Sequence, residues 1–155
     1  MRLHLDRVWF VPTGTPPHKS GRAISAAHHR MAMVTSAIDG DERFALSAVE
    51  VERAGPSYTV ESLRLLRAQW GASAHLCLIV GWDMLTSLPT WHDAPGVVTA
   101  TDQIAAAHRP GYPVADADLA ELEARLPGLR ARLALVPAPQ LDLAATSLRE
   151  RVALG

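Results

Sequence analysis

Five short runs rich in β-forming residues alternate along the chain with stretches whose apolar residues recur at helical spacing. That alternation limits the fold more than any single motif does. The runs are Arg7–Val11, stopped by Pro12; Phe44 to Val51, with a phase slip near Ala48; His75–Val80; Gln103–Ala107; and Leu133–Val136. His75–Val80 is nearly all apolar, which reads as a strand buried on both faces of a parallel sheet. Between the runs, Ser25 is placed to cap a helix to Asp39, with Ala27, Met31, Val34 and Ile38 on one face. Val60, Leu63, Leu66 and Trp70 line a second helix that Gly71 ends, and Arg53–Ser57 turns the chain before it. Met84–Leu88 reads as a short helix stopped by Pro89, and His92–Ala100 as a weak one interrupted by Pro95-Gly96. Asp116–Leu126 forms a helix with Leu119, Leu122 and Leu126 on one side, broken by Pro127-Gly128, and Thr146 caps a last helix over Ser147–Leu154. Strand and helix in alternation predict an α/β fold with a mainly parallel sheet. Ligands in such sheets sit at the carboxyl ends of strands, which singles out Pro12–Lys19, Gly81–Asp83 and His108–Gly111.

At 155 residues the chain is one domain's worth, and it can bury roughly two-thirds of its unfolded surface. With 48% hydrophobic and 20% charged residues it is neither a disordered tail nor a disulfide miniprotein. A net charge of −1 leaves no basic field for non-specific nucleic-acid binding, so an anionic ligand has to be met by local basic groups. The lone cysteine, Cys77, lies in an apolar run and suits a buried thiol in a reducing compartment. The N-terminal residues carry no signal-peptide core, and the longest aliphatic stretch, Leu76–Val80, is far short of a membrane span. A cytoplasmic protein is the expectation, and a homo-oligomer is compatible with it.

Each candidate segment has two readings. Gly81 lets a ligand approach the backbone and Asp83 can accept from ribose hydroxyls, yet Asp83 could equally be a helix N-cap. Pro16-Pro17-His18-Lys19 is a stiff loop with two phosphate donors, or an ordinary surface loop. Thr146 and Arg149 flank a helix N-terminus that can receive an anion, or simply cap a surface helix. Trp91 is a stacking platform or a core filler, and Thr59 a polar contact or a cap. No H-E-x-x-H, P-loop, G-x-G-x-x-G or G-x-S-x-G pattern is present, and the histidines have no metal-ligand spacing.

Taken in order, VWFVPTGTPPHK, SAAHHRMAMVTSAI, VERAGPSYTVESLRLLR, LIVGWDMLTSLPTWHD, HRPGYP and LAATSLRERV resemble bacterial nicotinate mononucleotide adenylyltransferases over nearly the whole chain. The most specific pieces are Gly55-Pro56-Ser57-Tyr58-Thr59 and Gly81-x-Asp83 with Leu88-Pro89-Thr90-Trp91. The resemblance implies a Rossmann-like nucleotidyltransferase fold. It also implies a reaction in which the phosphate of nicotinate mononucleotide attacks the α-phosphorus of ATP. Nicotinate adenine dinucleotide and pyrophosphate are the products, and Mg²⁺ is carried on the ATP phosphates. By position, Gly81, Asp83, Arg109, Thr146 and Arg149 fall on the ATP side. His18, Lys19, Tyr58, Thr59, Trp91 and His92 fall on the nicotinate mononucleotide side, His92 where the family often has tyrosine.

Two departures from the family stand out. Leu143-Ala144-Ala145-Thr146 replaces the usual Ile-Ser-(Ser/Ala)-Thr, so a hydroxyl that could donate to ATP phosphates is lost at Ala144. The family's G-G-x-F-x-P-x-H-x-G-H signature, on its first strand and following loop, does not occur, so no catalytic histidine is assigned in this chain. In the family's sheet order, 3-2-1-4-5, that strand is central. Its absence predicts two strands without their shared neighbour, at about 1–3 kcal/mol for each buried group left unpaired. The 155 residues are therefore expected to be a single domain incomplete at the N-terminus and near Gly155, with Met1 an internal methionine of a longer reading frame. A degenerate nucleotide- or partner-binding protein, or an adenylyltransferase acting on another acceptor such as nicotinamide mononucleotide, are the alternatives.

Overall fold

In the computed structural model, which describes residues 3–15, 25–108 and 114–138, the strands fall into two separate parallel sheets. The first pairs β1 (Val8–Phe10) with β2 (Phe44–Leu46), Trp9 opposite Ala45. The second runs β3 (Cys77–Gly81), β4 (Gln103–His108), β5 (Leu133–Pro137), with Gly81 opposite Ala107 and Ala106 opposite Leu135. Helices α1 (Ala27–Ile38) and α2 (Thr59–Trp70) connect β1 to β2 and β2 to β3. Then come α3 (Trp82–Ser87), a 3₁₀ turn over Leu88–Thr90, and α4 (Ala94–Ala100) before β4, and α5 (Asp116–Arg125) and α6 (Leu129–Arg132) before β5. Among the described residues this is the α/β alternation with parallel pairing that the sequence predicts.

The core is gathered on the three-stranded side. Val60 and Leu63 of α2, Leu85, Leu88, Val97, Val98, Ile104, Leu122, Leu126 and Leu129 form one buried cluster. β4 can be small (Ile104, Ala105, Ala106) because it is the middle strand, paired on both edges and covered by helices. By contrast α1 buries no residue fully: Ala27, Met31, Val34 and Ile38 do share its inward face, but each is only half-buried.

A groove of about 700 Å³ lies between the sheets, with Trp9 and Phe10 of β1 on one wall and Cys77, Leu78 and Ile79 of β3 on the other. Among the described residues no strand pairs across it. It also corrects the reading of His75–Val80 as buried on both faces: Ile79 is 47% exposed, and among the described residues β3 has a partner on its β4 edge only. Cys77, half-buried on the same wall, has its thiol pushed up by burial. The halves are joined through α2, whose Trp70 ring lies 4.9 Å from that of Trp9.

Other expectations shift locally. Ala26, not Ser25, is the N-cap of α1, and it makes no side-chain cap bond. β2 ends at Leu46, since Ala48–Glu52 closes as a turn through the Val51 and Glu52 amides donating to the Ala48 carbonyl. Pro95-Gly96 does not interrupt a helix: Pro95 lies in the first turn of α4, where its missing N–H costs nothing. Pro89 likewise sits inside the 3₁₀ turn rather than stopping α3. The short α6 after Gly128 has no counterpart in the sequence reading. The expected helix after Thr146 falls outside the described residues.

Candidate active site

The corner before α2 is built by its backbone. Gly55 turns at φ 89°, a conformation open to glycine, and Arg53 braces the turn, donating to the Pro56 carbonyl at 2.5 Å and pairing with Glu61 at 2.6 Å. Ser57 is buried. Its Oγ accepts from the Gly14 and Thr15 amides at 3.1 and 3.2 Å, and its own N–H donates to the Thr15 carbonyl at 2.9 Å. The residue after it, Tyr58, is the N-cap of α2, and Thr59 begins the helix with no side-chain cap bond from either. Thr59 is thus not a cap; it lines the groove together with Thr13 and Trp91.

The second corner is Trp91-His92-Asp93. Trp91 combines its two readings: it packs against the core, donates from Nε1 to Ser87 Oγ at 3.3 Å, and still presents surface to the groove. His92 stacks on Tyr58 with ring centroids 4.1 Å apart and planes at 27°, so the two nicotinate-side motifs named from the sequence meet directly. Asp93 has φ 48°, the only left-handed backbone other than glycine among the described residues. Its Oδ1 accepts from the Gly96 amide at 3.1 Å, capping α4, and its Oδ2 pairs with Arg64 at 2.7 Å. The Arg64 hydrogen bond, followed by that of the Gly96 amide, holds the Asp93 carboxyl below its ordinary value.

Gly81 and Asp83 lie at the carboxyl end of β3, beside the end of β4. The Asp83 carboxylate folds back over Gly81, where a Cβ would stand 2.6 Å from Oδ1. The N-cap of α3 is Gly81 and the helix has no side-chain cap bond, so Asp83 is exposed in its first turn rather than serving as the cap. His18, Lys19, Arg109, Ala144, Thr146 and Arg149 lie outside the described residues.

The sequence reading placed Ser57 in its most specific motif but gave it no role of its own, and it gave none to Asp93, Arg64 or Arg30. For Asp93 there was a signal, since an acidic residue directly before Ala94-Pro95 is a helix start with proline in the first turn. For the bonding role of Ser57 and for the two arginines there was none: their partners are backbone groups or side chains remote in sequence.

The model of the cytidylyltransferase-like family matches residues 1–150. A Thermomicrobium roseum protein named "Probable nicotinate-nucleotide adenylyltransferase" is 46% identical over 153 residues, which are 99% of this chain and 69% of that relative. A Roseiflexus protein of the same name is 40% identical over 99% of this chain and 74% of its own length. The nicotinic acid mononucleotide adenylyltransferase of Plasmodium falciparum, solved with NaAD, superposes with a TM-score of 0.71 at 16% identity. It covers 94% of this chain and 68% of its own, and fits the Rossmann-like nucleotidyltransferase fold. Fold, family model and relatives agree, and the chain belongs to the nicotinate-nucleotide adenylyltransferase family.

Proposed function

We propose that this chain binds ATP over Gly81 and Asp83 and nicotinate mononucleotide against Tyr58, Thr59, Trp91 and His92, and that it serves adenylyl transfer between them. The single observation that carries this reading is the Tyr58–His92 stack, which unites two distant motifs beside a groove bordered by Thr59 and Trp91. The mononucleotide's phosphate oxygen forms a bond to the α-phosphorus of ATP. The bond from that phosphorus to the β-phosphate oxygen breaks, and pyrophosphate leaves with the electron pair. No covalent enzyme intermediate is needed, so the protein's share is positioning and charge compensation. Asp83 accepts hydrogen bonds from the ribose, Trp91 offers its face to the pyridine ring, and the basic residues His18, Lys19, Arg109 and Arg149, with Thr146, serve the phosphates. The magnesium ion of this reading is one carried on the ATP phosphates. When bound, that ion neutralises charge on the transferred phosphate.

The groove between β1 and β3 favours a second element of the reading: it takes an extended strand that pairs with both open edges and brings the histidine signature to the ATP phosphates. Pyrophosphate release from ATP and nicotinate mononucleotide tests both. The expected result is slow release by the chain alone and faster release once a peptide carrying G-G-x-F-x-P-x-H-x-G-H is added, with the amide mononucleotide a poorer acceptor. Calorimetric binding of both nucleotides with no release under either condition would instead favour the degenerate binding protein. Absence of binding would overturn both readings.

A further inference from the structure

We propose that Arg30 and Ser57 are positioning residues which lock the Thr13–Thr15 corner to the Ser57–Thr59 corner and so set the mononucleotide end of the site. The inference rests on the adenylyltransferase reading above.

Arg30, on α1, directs its guanidinium to backbone: it donates to the carbonyls of Thr13 and Ser25, and to that of Gly14 at 3.0 Å. A planar fork of donors aimed at three carbonyls fixes a chain path rather than neutralising an anion. From the opposite side Ser57 takes the Gly14 and Thr15 amides and gives its own N–H to Thr15. Gly14 is therefore held at both its N–H and its carbonyl. A side chain there is excluded, because a Cβ would stand 2.0 Å from the Glu50 carbonyl oxygen. Glu50 is buried in turn and accepts from Ser62 Oγ of α2 at 2.6 Å. Thr13, next to Gly14, and Thr59, two residues after Ser57, face the same groove. The separation of those two hydroxyl-bearing walls is thus set by Arg30 and Ser57, neither of which lines the groove.

The test compares Arg30→Ala, Arg30→Lys and Ser57→Ala with the unmodified chain by titration calorimetry, using nicotinate mononucleotide and ATP separately. Expected is a loss of mononucleotide affinity of about tenfold or more in both alanine variants, the scale of one to two lost hydrogen bonds. ATP affinity should stay within about twofold. Arg30→Lys should recover part of the loss, since an ammonium reaches fewer of the carbonyls. Equal weakening of both nucleotides, or no weakening, overturns the proposal. If the unmodified chain binds no mononucleotide, the adenylyltransferase reading fails by itself. The lock is then judged by amide exchange in Arg30→Ala: faster exchange confined to Gly14, Thr15 and Ser57 upholds it, and unchanged exchange overturns it.

Discussion

Asp93 holds a left-handed backbone that an ordinary residue adopts only at a cost, and three partners maintain it: the Gly96 amide, Arg64 and the fold of the Trp91–His92 turn. The left-handed φ reverses the chain just after the aromatic pair, and so aims Trp91 at the groove while His92 lies on Tyr58. Asp83 is different, an exposed carboxylate that caps nothing. Asp83→Ala should therefore leave the thermal midpoint nearly unchanged, as surface substitutions stay within about 0.5 kcal/mol. ATP affinity, in contrast, should fall at least about tenfold, as expected when a charged hydrogen-bond acceptor is removed. Equal losses, read by thermal melts and ATP titration, would leave Asp83 a structural residue. Asp83 was visible in the sequence because glycine and carboxylate follow an apolar strand. The role of Ser57 was not, although its motif was, because a serine's worth lies in which amides reach it.

At the scale of elements, the start of the three-stranded sheet is pinned by Asp102. Its Oδ2 accepts from Arg67 of α2 at 2.5 Å and from the Leu76 amide at 2.8 Å, and its own N–H donates to the Leu76 carbonyl at 2.9 Å. One carboxylate so ties the end of α2 to the strands on either side of it. The Arg67 hydrogen bond, with that of the Leu76 amide next, holds the pKa of the Asp102 carboxyl below its ordinary value. A carboxyl depressed in the folded state stabilises at pH above its unfolded value of about 3.9 and loses that contribution as pH falls through the lower folded value. Urea midpoints should therefore drop as pH goes from about 5 to about 3, with a shallower drop in Asp102→Asn. Helix faces were legible in advance wherever an apolar stripe decides them, as in Val60, Leu63 and Leu66. Ends were less so. Pro95 reads as a breaker or as a first-turn residue, and only the Asp93 cap decides which.

In the whole molecule the two sheets hold unequal shares of the packing. β4 is paired on both edges and its Ala105 and Ala106 are buried, whereas among the described residues β1 and β3 each present one open edge to the groove. Amides of β1 and the groove-facing amides of β3 should exchange with solvent at least about tenfold faster than those of β4, as expected for regions that open locally. Exchange at equal rates would mean that the halves open together. The parallel α/β plan could be read from periodicity alone. That β3 is open on one side could not, because an apolar run looks the same whether its second partner is present or not; the resemblance supplied that expectation.

Cys77 gives the open edge a chemical voice. It is the single thiol of the chain and stands on the β3 wall of the groove, half-buried, with burial suppressing its thiolate. Alkylation needs both the thiolate and a path for the reagent. Its rate, followed by intact mass at fixed pH, becomes a clock for how far the sheet is closed. A strand seated in the groove should stop that clock, and a strand leaving should restart it, with no label attached to either partner.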